Sequence, residues 1–323
     1  MDIKSIRQPI KQEMLLFRQA FSDALKTDNP LLANIHESLL ECTGKLLRPT
    51  ITLLSAKLCG LVNEKTVNSA LSLELLHNAS LMHDDVVDET SERRGKPSIN
   101  ARWNNKTAVL SGDYMLSISL LHAMKTESLK ILGVISKIGS LLADGELLQL
   151  ANTQKSGLSE EDYFNVIRGK TAVLFAAGAE VGAISVDADE KQTEAMRRYG
   201  ENLGICFQLR DDIFDYYEDI KIGKPTQNDI RGGKVTLPLI YALQNTEGAK
   251  KIAISNWINN NDFSAENIKT IVRFVHENGG IRYAEKQTEI YKNKAIEAIS
   301  GFADNDVKKS LIKCAAFAAG RDI

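Results

Sequence analysis

Apolar residues recur three and four apart along most of the chain, as at Val67, Ala70, Leu71 and Leu75, while the two-residue alternation of a half-buried strand is scarce. This spacing predicts an all-α protein. Helices are expected over about 10–26, 31–41, 46–59, 64–90, 107–124, 127–150, 159–184, 190–218 and 235–245, with several more toward the C-terminus. Six prolines in 323 residues leave the helices largely unbroken. Two polar segments interrupt the pattern, ETSERRGKPSINARWNN (89–105) and EDIKIGKPTQNDIRGGKVT (218–236). Both are basic and contain glycine, which suits phosphate-binding lids.

No linker rich in proline, serine or glycine divides the chain, so it reads as one domain over 1–323. With 43% hydrophobic and 25% charged residues it can bury a sizeable core. A net charge of −2 gives no general pull toward nucleic acid. The N-terminal MDIKSIRQPIKQEM lacks the apolar run of a signal peptide. The stretch TAVLFAAGAEVGAISV (171–186) is short for a membrane span and contains Glu180. Cys42, Cys59, Cys206 and Cys314 are scattered without metal-binding spacing and read as reduced thiols of a cytoplasmic protein.

The chemistry concentrates in two acidic stretches. In LMHDDVVDET (81–90), Asp84 and Asp88 lie four apart with Asp85 beside them, along one edge of an otherwise apolar helix. FQLRDDIFDY (207–216) repeats the spacing with Asp211, Asp212 and Asp215. A single DDxxD is weak evidence, and a solvated acidic helix end explains it equally well. Two copies among apolar neighbours ask for a common cause. Six carboxylates facing one another in a bundle core cannot all stay ionised without cations. Hard oxygen ligands select Mg²⁺, which completes its shell with water and substrate phosphate.

Basic residues that could hold such phosphates are present: Lys45 and Arg48 in TGKLLRP, Arg93 and Arg94 in SERRGKP, Lys170 in RGKTA, Lys224 in IGKPTQND and Lys234 in RGGKVT. Each alone is more often a surface charge. His77, seven residues before Asp84, falls near the same helix face; taken alone, it is more often a satisfied core histidine.

These residues resemble the trans-type (head-to-tail) isoprenyl diphosphate synthases, the polyprenyl synthetase family. GKLLRP, LLHNASLMHDDVVDETSERRGKPSIN, AVLSGDY, GKTAVLF, GICFQLRDDIFDY and GKPTQNDIRGGKVTLPLI are similar, in order, to six family elements spread over nearly the whole chain. The resemblance implies the isoprenoid synthase fold, a bundle of ten or more helices around a central cavity. It implies that Asp84, Asp85, Asp88, Asp211, Asp212 and Asp215 bind Mg²⁺, three ions per active site with substrate bound. Arg93, Lys170, Lys224 and Lys234 are then expected on the allylic diphosphate. Lys45, Arg48, His77 and Arg94, with Gly44 shaping the loop, are expected on isopentenyl diphosphate. Thr171 and Gln208 are expected beside the reacting carbons, with Lys170, as the catalytic group. Gln227-Asn228 departs from the family, which commonly has glycine before the aspartate matching Asp229.

The implied reaction ionises an allylic diphosphate such as farnesyl diphosphate, with Mg²⁺ and the lysines stabilising the departing diphosphate. Isopentenyl diphosphate attacks the cation, and loss of a proton to the released pyrophosphate leaves a chain five carbons longer. Water must be excluded, so the two polar segments are expected to close over the site. In the family, bulky aromatics four or five residues before the first aspartate stop growth early; here those positions are Ser80 and Ala79. Small residues there imply a long-chain synthase, of about hexaprenyl to decaprenyl size, serving quinone side chains. Phe175, Met115 or Met124 from another helix could form a shallower floor, which keeps a short-chain (farnesyl or geranylgeranyl) synthase open.

Other classes fit less of the chain. An HD-type metal phosphohydrolase uses His83-Asp84 but gives the second DDxxD no role, and a terpene cyclase should have an Asn/Ser/Glu metal motif in place of DDIFD. A non-catalytic partner subunit usually lacks the aspartate trios. The family further implies a homodimer, and an apolar product implies at most transient membrane association.

Overall fold

The structure, a computed structural model, describes residues 2–41, 43–93, 95–152, 157–217 and 227–320. It is all-α as the spacing predicts. The helices are α1 (Lys11–Ala24), α2 (Pro30–Glu41), α3 (Leu47–Cys59), α4 (Glu64–Val87), α5 (Asn105–Met124), α6 (Leu129–Asn152), α7 (Glu160–Ile167), α8 (Val173–Ile184), α9 (Glu190–Phe214), α10 (Leu237–Gln244), α11 (Ala249–Asn259), α12 (Ala265–Glu277), α13 (Gly280–Ala298) and α14 (Asp306–Ala319), with a few single turns. Among the described residues the only strands are β1 (Glu92–Arg93) and β2 (Lys96–Pro97), a short antiparallel pair.

Three expectations change in detail. The helix expected over 159–184 is interrupted by a π turn at Arg168–Ala172, between α7 and α8. The segment 89–105 is not a plain loop but holds the β1–β2 hairpin and a turn of helix at Ile99–Arg102. In the second polar segment, residues 218–226 lie outside the described residues, and Asn228–Arg231 forms one helical turn.

The chain forms two compact units. The first comprises Met1–Ser140, Leu174–Gly200 and Ala298–Lys313; the second comprises Leu141–Val173, Glu201–Glu297 and Cys314–Ile323.

In the first unit α4 is the central helix, buried along most of its length from Thr66 to Asp85. Its start is fixed by a capping box between Asn63 and Thr66, and Thr66 also meets Ser185 Oγ at 2.7 Å. Leu71, Leu73, Leu75, Leu76 and Ala79 fill the core around it. Burial on every side explains why this helix shows no amphipathic stripe. Toward α5 the contact includes polar pairs: Ser119 Oγ donates to the Ser72 carbonyl at 2.7 Å, and His122 Nδ1 meets Asn68 Oδ1 at 2.8 Å. Between α3 and α8 the backbones come close. A Cβ on Gly182 would collide with the Thr52 carbonyl of α3, so only glycine fits.

Cys206 and Cys314 are buried, Cys59 is half-buried, and all three are free thiols as expected; Cys42 lies outside the described residues. No helix among the described residues is long and apolar enough to cross a membrane.

This packing can be checked at two positions. Gly182→Ala should destabilise the fold by about 2 kcal/mol through overpacking against Thr52, measured by denaturant unfolding. Burial first, and then the Lys125 charge, hold the His122 imidazole down at about 4, below its ordinary 6.5. The unfolded chain therefore takes up this proton before the folded one, so the stability is complete above pH 6.5 and declines as pH falls toward 4. His122→Gln should lose less melting temperature than the wild type between pH 7.5 and about pH 5.

Candidate active site

In the first unit the acidic stretch closes the C-terminal end of α4. Asp84 and Asp85 occupy its last turn and Asp88 is its C-cap, with the Asp88 amide donating to the Asp84 carbonyl. No basic residue lies in that last turn. Like charges at the negative end of a helix dipole are unfavourable, so a partner must come from elsewhere. For Asp85 it is Arg93 of β1, whose Nε lies 2.9 Å from both carboxylate oxygens. The Asp85 side chain is 4% exposed, and Asn100 Nδ2 donates to its backbone carbonyl. The hairpin thus positions Arg93, and Lys96 on β2 ties it to Glu41 at 2.7 Å.

The GKLLRP loop lies in the same unit. Gly44 has φ +61° and Leu46 φ +45°, left-handed positions that turn the chain into α3. Arg7 holds this loop by donating to the Lys45 and Leu46 carbonyls and to Thr50 Oγ1. Nothing in the sequence pointed to Arg7. Lys45 is exposed, whereas Arg48 is half-buried, donating to His77 Nε2 at 2.9 Å and lying over the Phe175 ring at 4.9 Å. His77 is buried at 7% exposure. An arginine N–H can only donate, so His77 Nε2 accepts. Ala79 is buried, and Ser80 is half-buried with Oγ on the His77 carbonyl. Of the three floor candidates, Phe175 and Met115 are buried and Met124 is exposed.

The second unit contains a pocket lined by Lys170, Thr171, Gln208, Asp212, Asp229, Lys234, Tyr163 and Gln149, with Leu158, Val166, Ile167 and Val235 as its apolar part. The π turn presents Lys170 and Thr171 side by side, a wider helical turn of the kind found at functional sites. From there a hydrogen-bonded chain runs inward. Thr171 Oγ1 donates to Gln208 Oε1 at 2.8 Å, Gln208 Nε2 to Asp212 Oδ1 at 2.7 Å, and Tyr163 Oη to Asp212 Oδ2 at 2.5 Å. Burial, then the Asp229 carboxylate, push the Asp212 carboxyl up to about 8. Asp215 accepts from the Ile230 amide at 3.1 Å, and Asp211 is half-buried at the end of α9. Lys234 pairs with Asp229 at 3.2 Å. Gln227 has φ +66°, so at the point where the sequence departs from the family's glycine the backbone is still left-handed.

Two expected site residues, Arg94 and Lys224, lie outside the described residues. Sequence reading missed Tyr163 and Gln149 in the second unit's pocket and Glu146 beside Lys170, and it gave Asp229 only as the aspartate of a family element; the acid-rich LSEEDY (158–163) and the GELLQ (145–149) carry no motif by themselves. Among the described residues no three His, Cys, Asp or Glu side chains are gathered to hold a metal ion; Asp85, Asp212 and Asp215 accept from protein donors instead. The donors themselves suit one: they are carboxylate oxygens only, and Asp212 is held where its charge is disfavoured until a cation relieves it.

Helices with paired aspartate trios, each unit also holding lysine or arginine beside carboxylates, describe a phosphate-handling α-helical enzyme. The polyprenyl synthetase family model matches residues 29–275. An octaprenyl diphosphate synthase of Haemophilus influenzae is 32% identical over 100% of this chain and 98% of its own. A solved polyprenyl synthase from Caulobacter crescentus, complexed with calcium and isoprenyl diphosphate, superposes with a TM-score of 0.94 at 32% identity, covering 99% of this chain and 98% of that one. A geranylgeranyl pyrophosphate synthase from Bacteroides thetaiotaomicron is 40% identical with a TM-score of 0.84 over 100% of both chains. The chain belongs to the polyprenyl synthetase family and has the isoprenoid synthase fold; it is a trans-polyprenyl diphosphate synthase, a prenyltransferase that elongates prenyl chains.

The Arg93–Asp85 pair gives a direct check on the site geometry. Arg93→Ala should destabilise the protein by about 2 kcal/mol, because it strands a buried carboxylate. Adding Asp85→Asn should recover part of that loss, so a double-mutant cycle by chemical denaturation returns a coupling of about 1 kcal/mol or more.

Proposed function

We propose that this enzyme condenses isopentenyl diphosphate repeatedly onto an allylic diphosphate such as farnesyl diphosphate, yielding an all-trans chain of about 30 to 50 carbons for quinone side chains. The small pair Ala79 and Ser80 on α4, ahead of Asp84, supports this length most directly. The octaprenyl diphosphate synthase likeness agrees with it. The likeness to a geranylgeranyl pyrophosphate synthase favours a second reading, a product of twenty carbons.

The roles follow from the chemistry of each group. Asp84, Asp85 and Asp88 in one unit, and Asp211, Asp212 and Asp215 in the other, hold Mg²⁺, three ions with substrate bound. When bound, the metal supplies positive charge against the diphosphate as the allylic C–O bond breaks. Arg93, Lys170, Lys224 and Lys234 hold the allylic diphosphate and stabilise its negative charge as it departs. Lys45, Arg48, His77 and Arg94, on a loop shaped by Gly44, hold isopentenyl diphosphate. Thr171 and Gln208 present oxygen dipoles to the cationic carbons. Gln208 is oriented for this by its amide, which donates to Asp212. The apolar body of α4 below Ala79 receives the growing tail.

The whole chain acts as one synthase domain, in the cytoplasm, as a homodimer. An apolar outer face on α5 supports the dimer: Leu110, Leu121 and Met124 are each more than half exposed while the opposite face packs on α4. Release of the apolar product needs only transient membrane contact.

Three measurements test these roles. With farnesyl diphosphate, labelled isopentenyl diphosphate and Mg²⁺, products of thirty carbons or more are expected; a stop at twenty supports the second reading. Ala79→Phe should shorten the product by at least one isoprene unit while elongation continues, and an unchanged length contradicts the tail path. Asp84→Ala and Asp211→Ala should each lower kcat by about 100-fold or more.

A further inference from the structure

Lys170 has a partner that the reaction chemistry does not require. Its ammonium lies 2.6 Å from Glu146 Oε2 and 3.2 Å from Gln149 Oε1, both on α6. The pair is largely shielded from water, with side-chain exposures of 24% for Lys170 and 15% for Glu146. The backbones impose this contact. A Cβ on Gly145 would lie 2.9 Å from the Gly169 carbonyl carbon, and one on Gly169 would lie 3.3 Å from Gly145 Cα. Glycine at both positions lets the helix segment before Glu146 touch the π turn, which sets the carboxylate against the ammonium. Gln149, one turn on, donates to Glu146 Oε1 at 3.1 Å and fixes its rotamer.

The other two described cations assigned to the allylic diphosphate also rest on carboxylates, Arg93 on Asp85 and Lys234 on Asp229. Asp85 belongs to an aspartate trio. Glu146, like Asp229, belongs to neither, so it is not itself one of the expected metal ligands.

We infer that Glu146 is a positioning residue and counter-charge that moderates the grip of Lys170 on the diphosphate, so that pyrophosphate can leave after each condensation and the lengthened diphosphate can take its place. This rests on the reading of Lys170 as a diphosphate-binding group. A chain-elongating enzyme must release the same leaving group many times, and a lysine with no competing anion would retain it. Glu146 gives the ammonium an anion to return to. Gln149 keeps it aligned in both conditions.

The sign of this effect separates it from a merely structural role, which would weaken binding when disturbed. Inorganic pyrophosphate with Mg²⁺ is titrated calorimetrically into the full-length protein and its variants. Glu146→Gln, which keeps the shape and a hydrogen-bond acceptor but removes the charge, should bind pyrophosphate about 10-fold tighter than the wild type. Glu146→Asp should bind as the wild type does. Gln149→Glu, which places a second carboxylate on the ammonium, should bind about 5-fold weaker, and tests the idea even if Glu146→Gln does not fold. The gain from Glu146→Gln should vanish in the Lys170→Ala background. Unchanged or weaker binding by Glu146→Gln overturns the inference, as does a gain that survives without Lys170. If Lys170→Ala alone leaves pyrophosphate affinity unchanged, the reading of Lys170 itself fails, which is a separate result.

Discussion

Negative charge at the wrong end of two long helices is the constraint on which everything else in the molecule turns. α4 and α9 both run into an aspartate trio at their C-terminal ends, where the helix dipole already leaves partial negative charge and no basic residue lies in the last turn. Each trio would repel itself, and its buried members, Asp85 in one and Asp212 and Asp215 in the other, lack solvent screening. The local sequence therefore creates a repulsion that only a cation, a hydrogen-bond donor or a proton can relieve.

Each unit relieves it with its own side chains. In the first, the β1–β2 hairpin returns Arg93 to Asp85. In the second, Tyr163 and Gln208 donate to Asp212, while Asp215 takes a backbone amide at Ile230. These contacts are interchangeable with a metal in kind, since they supply positive partial charge to carboxylate oxygen, but they are weaker than a divalent ion. The basic side chains are likewise held by acids, Lys170 by Glu146 and Lys234 by Asp229.

Much of this was legible in the sequence. The three-to-four spacing gave the helices, because burial of one or more faces sets apolar periodicity wherever a helix packs. The six ordered elements, with the doubled DDxxD among them, gave the family and its reaction, which the full-length relatives bear out. The break at Arg168–Ala172 was not legible: a π turn is set by tertiary contact, here the approach of Gly145 and Gly169, and RGKTA has no local signal for it. Arg7, Tyr163 and Glu146 were missed for the same reason. Each acts on a site residue far away in sequence, and a lone arginine, tyrosine or glutamate looks like any surface or core residue until the fold brings it there. His77 shows the opposite case. Its burial and its bond to Arg48 satisfy the core reading and set it beside a residue of the GKLLRP element.

If the trios are metal sites completed by a diphosphate, Mg²⁺ and pyrophosphate must stabilise the fold cooperatively. The melting temperature shows this most directly, taken for the wild type, Asp84→Asn and Asp211→Asn with Mg²⁺, with inorganic pyrophosphate, and with both. The two ligands together should raise the wild-type value well beyond the sum of their separate effects, and each variant should lose most of that rise. An equal rise with pyrophosphate when Mg²⁺ is chelated, or a full rise in both variants, would contradict metal binding by the trios.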